Sequence, residues 1–273
     1  MGHRIGIIAG SGIFPFLALE EAQKRGYTCV VAGIKEEAEA GLRDKADEFD
    51  WIERGDISKV ISFFKKHGVR EALLAGKVDH RRIFQKEKLD RPLSQLLNQI
   101  KEKSPTAIIK AIIDFMNKEG IQVVNPTSFL ASHFCQEGIM TETKPSQEVK
   151  EDIHFGLRIA RKIADLDIGQ TVMVKDKAVV AVEGIEGTDE AIKRGGKLAG
   201  ERIVVAKVSR SCQDMRIDIP AVGLSTVKML AEVGGAALCI EAQKVLFFQK
   251  KEAISLANAY KIMIMAKEFI DIQ

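Results

Sequence analysis

Between Asp214 and Gly223 the chain reads Asp-Met-Arg-Ile-Asp-Ile-Pro-Ala-Val-Gly, placing two carboxylates and a guanidinium within five residues. Pro220 blocks a continuing helix and biases Ile219 toward extended backbone. In an extended segment alternate residues share a face, so the spacing predicts that Asp214, Arg216 and Asp218 point the same way. Carboxylates so placed can hold Mg²⁺ or activate water, and an arginine can clamp a phosphate. An exposed loop with a local ion pair has the same composition, so the flanking elements must decide between the two.

Those elements read as alternating strands and helices. Ser146 can cap a helix running to about Leu166, with Val149, Ile153, Leu157, Ala160 and Ala164 at helical spacing. Asp167 to Gln170 is a turn, and Thr171–Val174 with Ala178–Val182 reads as a hairpin around residues 175–177. The hairpin ends in a second acidic cluster, Glu183-Gly-Ile-Glu-Gly-Thr-Asp-Glu190, whose Thr188 or Asp189 opens the next helix. Acidic groups at a helix start are ordinary capping, but Gly184 and Gly187 also let a ligand approach the backbone. Ile203–Val208 is a strand carrying Lys207 near its end; Leu224–Val233 is a helix, Ala237–Ile240 a strand ending at Glu241, and Ile254–Ala259 a helix.

The first half opens with a buried parallel strand, Arg4–Ala9, followed by Gly10-Ser11-Gly12-Ile-Phe-Pro15 and a helix over Phe16–Arg25. A strand, a glycine turn and a helix form a place where backbone N–H groups meet an anion. Pro15 replaces the third glycine of a dinucleotide fingerprint, and no acidic residue ends the next strand, so phosphate or nucleotide contact is favoured over NAD. Glu71–Ala75 is another short strand, ending in the basic loop Gly76-Lys77-Val-Asp-His80-Arg-Arg82. Ligands of open parallel sheets bind beyond such carboxyl ends, and a basic loop suits an anion. Helices over Leu93–Ile100 and Thr106–Glu119 and a strand over Ile121–Val124 complete this half. The expected architecture is therefore α/β: a Rossmann-like parallel-sheet domain over residues 1–130, a connection over 131–145, and a second α/β domain over 146–273.

Bulk properties exclude several classes. The 273 residues carry a net charge of +3, with 46% apolar and 29% charged residues, which suits a soluble globular protein and gives no basic footprint for nucleic acid. There is no 18-residue apolar run and no secretory signal. The four cysteines are scattered, as expected of free thiols in a reducing cytoplasm.

Taken together, several of these stretches resemble a known family nearly end to end. They are Ile7–Gly12 with Pro15, Ala75–Val78, Leu166–Gln170, Glu183 with Glu186–Asp189, and Met215–Gly223. The chain resembles the LpxI-type UDP-2,3-diacylglucosamine diphosphatases of lipid A synthesis. The resemblance implies a Mg²⁺-dependent hydrolase yielding UMP and 2,3-diacylglucosamine 1-phosphate, with two domains, the lipid product held between them, and the essential aspartate at Asp218.

On that basis Asp218 is expected to hold the metal or activate water, with Glu186 and Asp189 as further ligands. Arg216, Lys207 or Lys77 would neutralise phosphate charge. Gly10, Ser11, Gly12, Gly76, Lys77, Gly187 and Thr188 would contact the substrate. Ile139-Met140, Phe129-Leu130, Phe14 and Phe16 are candidates to line the acyl chains. Partners would be the UDP-linked lipid, the inner face of the cytoplasmic membrane in passing, and a second copy of the chain. Competing readings are a dinucleotide-dependent oxidoreductase and a nucleotide-sensing regulator without chemistry.

Overall fold

Alternation of side chains across strands builds a five-stranded sheet, a six-stranded sheet and a two-stranded pair. A computed structural model describes residues 2–78, 89–101 and 104–269. It divides into two compact units: residues 1–130 with 215–217, and residues 131–214 with 218–273.

The first unit contains β1 (Arg4–Ala9), β2 (Thr28–Ile34), β3 (Glu48–Ile52), β4 (Glu71–Ala75) and β5 (Gln122–Val123) in the order β3-β2-β1-β4-β5. All pairings are parallel. Ile5, Ile7, Cys29 and Val31 face one core with Ala18, Leu19 and Ala22 of helix α1 (Phe14–Lys24). Val30, Ala32 and Ile34 face the other, against α2 (Ile57–Lys66), α3 (Arg91–Gln99) and α4 (Pro105–Lys118). Gly6 is required on that second face, since a Cβ there would stand 2.8 Å from the Phe64 ring. Helix α2 is capped by Asp56, whose carboxylate accepts from the Lys59 amide at 2.9 Å.

The second unit forms a six-stranded mixed sheet. Its strands are β6 (Gly138–Ile139), β7 (Thr171–Lys175), β8 (Ala178–Val182), β9 (Val204–Lys207), β11 (Ala237–Glu241) and β13 (Met263–Lys267), in the order β6-β13-β11-β9-β7-β8. Strands β9, β11 and β13 run parallel, while β6, β7 and β8 are antiparallel to their neighbours. Helix α5 (Gln147–Asp165) covers one face through Val149, Ile153, Leu157 and Ala160. Helices α6 (Thr188–Ala199), α7 (Leu224–Glu232) and α8 (Lys250–Ala259) cover the other. Two short strands, β10 (Ala221–Val222) and β12 (Leu246–Phe247), pair beside it.

Several expectations are corrected. Residues 214–218 do not run extended. The Asp218 amide donates to the Asp214 carbonyl at 3.3 Å, coiling the segment into a turn, so Asp214, Arg216 and Asp218 do not share one face. The cause is the short reach of Pro220, which restricts only the residue before it. Helix α8 begins at Lys250 rather than Ile254, and the apolar residues that follow it form β13, which lies between β6 and β11. Phe129 and Leu130 are buried in the first unit's core and offer no surface to an acyl chain. Residues 79–82 of the basic loop, His80 included, lie outside the described residues.

Candidate active site

Sheet topology decides which polar groups meet in the second unit. Because β7 returns antiparallel to β9 and β8 reverses again, the start of β7 and the end of β8 arrive at the carboxyl end of β9. Thr171 lies opposite Lys207 in the register, and the Glu183 amide donates to the Thr171 carbonyl at 2.9 Å. The Lys207 ammonium, 5% exposed as a residue, donates to Thr188 Oγ1 at 2.7 Å, Thr171 Oγ1 at 3.0 Å and Glu183 Oε2 at 3.3 Å. Both threonine hydroxyls in turn donate to the Glu183 carboxylate, Thr188 at 2.7 Å and Thr171 more closely. Burial pushes the Glu183 carboxyl up, but the Lys207 charge and the hydroxyl donors outweigh it and hold the group below its ordinary value. Lys207 was expected to neutralise a phosphate. Its three protons are instead committed inside the fold, where it secures the loop that starts α6.

Next to this network lies Asp218. Its Oδ2 accepts from Gln170 Nε2 at 2.6 Å and stands 3.8 Å from the Arg210 guanidinium. Its backbone carbonyl accepts from Gln213 Nε2 at 2.6 Å. Arg210 itself donates to Gln213 Oε1 at 3.1 Å and pairs with Asp167 at 2.7 Å. The loop that delivers Asp218 is pinned upstream as well. Ser209 N donates to Glu241 Oε2 at 2.8 Å, and Ser211 N to Asp165 Oδ1 at 2.7 Å. The Asp218 side chain remains 50% exposed, and its Oδ1 has no partner among the described residues.

The other two acidic candidates are engaged elsewhere. Glu186 pairs with Arg194 at 2.5 Å, and that bond holds its carboxyl below the ordinary value. Asp189 accepts from Thr226 Oγ1 at 3.2 Å. Among the described residues no group of three His, Cys, Asp or Glu side chains gathers as a ready metal cage. Mg²⁺ does not require one, since it keeps several waters and takes one or two carboxylates plus phosphate oxygens. Asp218, half exposed with one oxygen unclaimed, fits that demand. Glu186 and Asp189 fit only if they leave Arg194 and Thr226. Gly187, at φ 87°, opens α6 without a side-chain cap.

In the first unit the loops after β1 and β4 are laced to each other. Gly10 N donates to the Ala75 carbonyl at 2.8 Å, Ser11 N to the Lys77 carbonyl at 2.7 Å, and Lys77 N to the Ser11 carbonyl at 3.0 Å. Ser11 Oγ donates to the Lys77 carbonyl at 2.9 Å. The amides of Gly10 and Ser11 are thus spent on the neighbouring loop rather than held open for a phosphate, correcting the expectation from the glycine turn. Gly10 and Gly76 serve close backbone approach: a Cβ would lie 2.3 Å from the Lys77 carbonyl oxygen or 2.7 Å from that of Ser11, respectively. Gly10→Ala is expected to cost about 1–3 kcal/mol, read as a lower denaturation midpoint. A wild-type midpoint would show that the two loops yield freely.

The LpxI N-terminal domain family matches residues 4–133, and the LpxI C-terminal domain family matches residues 136–265. The chain belongs to the LpxI family. One relative, the UDP-2,3-diacylglucosamine pyrophosphatase LpxI of Caulobacter vibrioides, is 26% identical over 273 residues, covering 96% of this chain and 97% of that protein. Likeness to solved structures is far weaker. The biotin carboxylase domain of a thermophilic 2-oxoglutarate carboxylase is 12% identical at a TM-score of 0.30, over 68% of this chain and 36% of that one. Biotin carboxylase of Campylobacter jejuni is 12% identical at 0.30, over 73% and 42%. The LpxI chain thus spans less than half of either, and a likeness of that size carries no argument.

Sequence reasoning missed Gln170, Arg210 and Gln213 as partners of Asp218. Gln170 lay inside the stretch Leu166–Gln170 that marks the LpxI family, but as part of a turn. Nothing in its spacing shows that it reaches a residue 48 positions later.

Proposed function

We propose that this LpxI chain hydrolyses the diphosphate of UDP-2,3-diacylglucosamine to UMP and 2,3-diacylglucosamine 1-phosphate, a step of lipid A synthesis. The observation that carries the reading is a half-exposed aspartate, Asp218, held by three polar side chains at the carboxyl end of the second sheet. It stands in a chain matched by both LpxI domains.

Water attacks one phosphorus of the diphosphate, and the bond from that phosphorus to the bridging oxygen breaks. Asp218 is placed to accept the proton of that water through Oδ1 or to hold a divalent cation there; Oδ2 is already taken by Gln170. Mg²⁺ is the proposed cofactor, and when bound it would neutralise phosphate charge and lower the pKa of a bound water. The Thr188 amide, at the start of α6, is the second unit's proposed contact to phosphate oxygens; the Thr188 hydroxyl is taken by Lys207 and Glu183, and the Gly187 amide donates to the Gly184 carbonyl at 3.3 Å. No helix among the described residues is long and apolar enough to cross a membrane. Contact with the bilayer that holds the substrate is therefore proposed as transient and peripheral.

The test is direct. Purified protein with UDP-2,3-diacylglucosamine and Mg²⁺ should release UMP, release should stop on adding EDTA, and excess Mg²⁺ should restore it. No UMP from intact protein would end the hydrolase reading. Release indifferent to EDTA would remove the metal and leave the hydrolase.

A further inference from the structure

Gln170 has two observations that do not belong together in a side chain kept only for stability. Its amide nitrogen donates to Asp218 Oδ2 at 2.6 Å. Its amide oxygen is buried with no hydrogen-bond partner among the described residues. A buried amide placed for packing finds partners at both ends. Turning the amide over would not help, because an ionised carboxylate is acceptor-only and would face another acceptor.

The backbone around Gln170 is fixed to deliver this contact. Its carbonyl accepts from Val208 N at 3.0 Å, tying it to the end of β9. Gly169 before it passes so close to the next loop that a Cβ would lie 1.9 Å from the Glu183 carbonyl oxygen. Thr171 after it is fully buried and bonded to Lys207. Gln170 is therefore held between a closely packed glycine and a buried threonine, with its side chain directed at one carboxylate oxygen.

We propose that Gln170 is a positioning residue for hydrolysis. Its amide N–H occupies Oδ2 of Asp218, fixes the carboxylate plane, and leaves Oδ1 as the oxygen presented to the reacting groups. The proposal rests on the reaction assigned above. Gln170 acts through Asp218 and not by binding the nucleotide, so its effect falls on kcat and not on KM.

The experiment is steady-state hydrolysis of UDP-2,3-diacylglucosamine by Gln170→Met, which keeps the side-chain length, and by Gln170→Glu, which keeps its shape but sets a second acceptor against Asp218. Each is run beside the unmutated protein, with thermal melting as the control for folding. Gln170→Met should lower kcat about 10- to 100-fold with KM within about threefold and melting little changed, and Gln170→Glu should lose at least as much. Because the two side chains act as a unit, adding Gln170→Met to Asp218→Asn should change the residual kcat by less than about twofold. Unaltered kcat in Gln170→Glu, a loss carried by KM, or a full additional loss in the Asp218→Asn background would overturn the assignment. If Gln170→Met does not fold, Gln170→Glu and its double variant with Asp218→Asn decide. An unmutated protein that releases no UMP overturns the reaction itself, and the role of Gln170 with it.

Discussion

Replacing Lys207 with methionine should lower the thermal transition of the second unit by about 10 °C, the equivalent of about 3–5 kcal/mol for breaking a buried ion pair by removing one partner. The reason lies in how completely the network closes. Each threonine, Thr171 and Thr188, accepts from Lys207 and donates to Glu183, so the ammonium's three protons and both hydroxyls are all used. Methionine leaves the carboxylate of Glu183, itself 12% exposed in its side chain, without its counter-charge. Glu183→Gln strands the ammonium in the same way. The double exchange, Lys207→Met with Glu183→Gln, should recover part of the loss, since two neutral groups need no counter-charge. A double variant no better than the sum of the singles would show that the pair does not act as a unit.

The same pair sets an acid dependence. The Glu183 carboxyl is held below its ordinary value of 4.5 in the fold. Between the folded and unfolded values the unfolded chain binds more protons than the folded one, so stability falls as pH falls. The contribution is intact above about pH 4.5 and is lost as pH drops through the folded value. Glu183→Gln should flatten that part of the acid limb in denaturant melts taken from pH 6 downward. An unchanged acid slope would assign the sensitivity to other carboxylates.

Much of the fold was legible because local periodicity decides it. The strands Arg4–Ala9, Glu71–Ala75 and Ala178–Val182 have the ends that short apolar runs and flanking turns set. Asp56 and Ser146 cap their helices as their positions require. Strands β6, β10 and β12, of two residues each, carry too little pattern to be seen. The turn after β7, expected around residues 175–177, forms there without a glycine: Asp176 and Lys177 both take positive φ, and buried Asp152 accepts from both amides, 24 and 25 positions away.

The site was legible in its acids and not in its pairings. Spacing drew attention to Asp218, and the resemblance gave Asp218 and Lys207 their expected roles, but neither could separate the exposed charge from the buried one, since burial is set by strand order. Gln170 to Asp218 spans 48 positions and Glu183 to Lys207 spans 24. Both meet because an antiparallel hairpin is added to the edge of a parallel sheet, bringing the beginning of one strand to the end of another. The extended reading of residues 214–218 failed for a local reason, the bond between the Asp218 amide and the Asp214 carbonyl.

Asp218→Asn should lower kcat for UDP-2,3-diacylglucosamine by at least about 10²- to 10³-fold while melting stays close to that of the unmutated protein. The two halves of that expectation have separate grounds. Stability should survive because the side chain is half exposed and its neighbours have other partners: Arg210 keeps Asp167 and Gln213, and Gln213 keeps the backbone carbonyl of residue 218. Asparagine can also still accept from Gln170 through its own carbonyl oxygen. Activity should not survive, because the atom presented at Oδ1 becomes an amide or a neutral oxygen. Neither takes a proton from water, and neither offers the full negative charge that a divalent cation selects. The comparison that isolates the charge is Asp218→Glu, which restores the carboxylate one methylene farther out. It should recover some turnover, though well short of the original, because the Gln170 amide is set for the shorter side chain. Hydrolysis by Asp218→Asn within about threefold of the unmutated rate would place the reacting centre elsewhere in the chain.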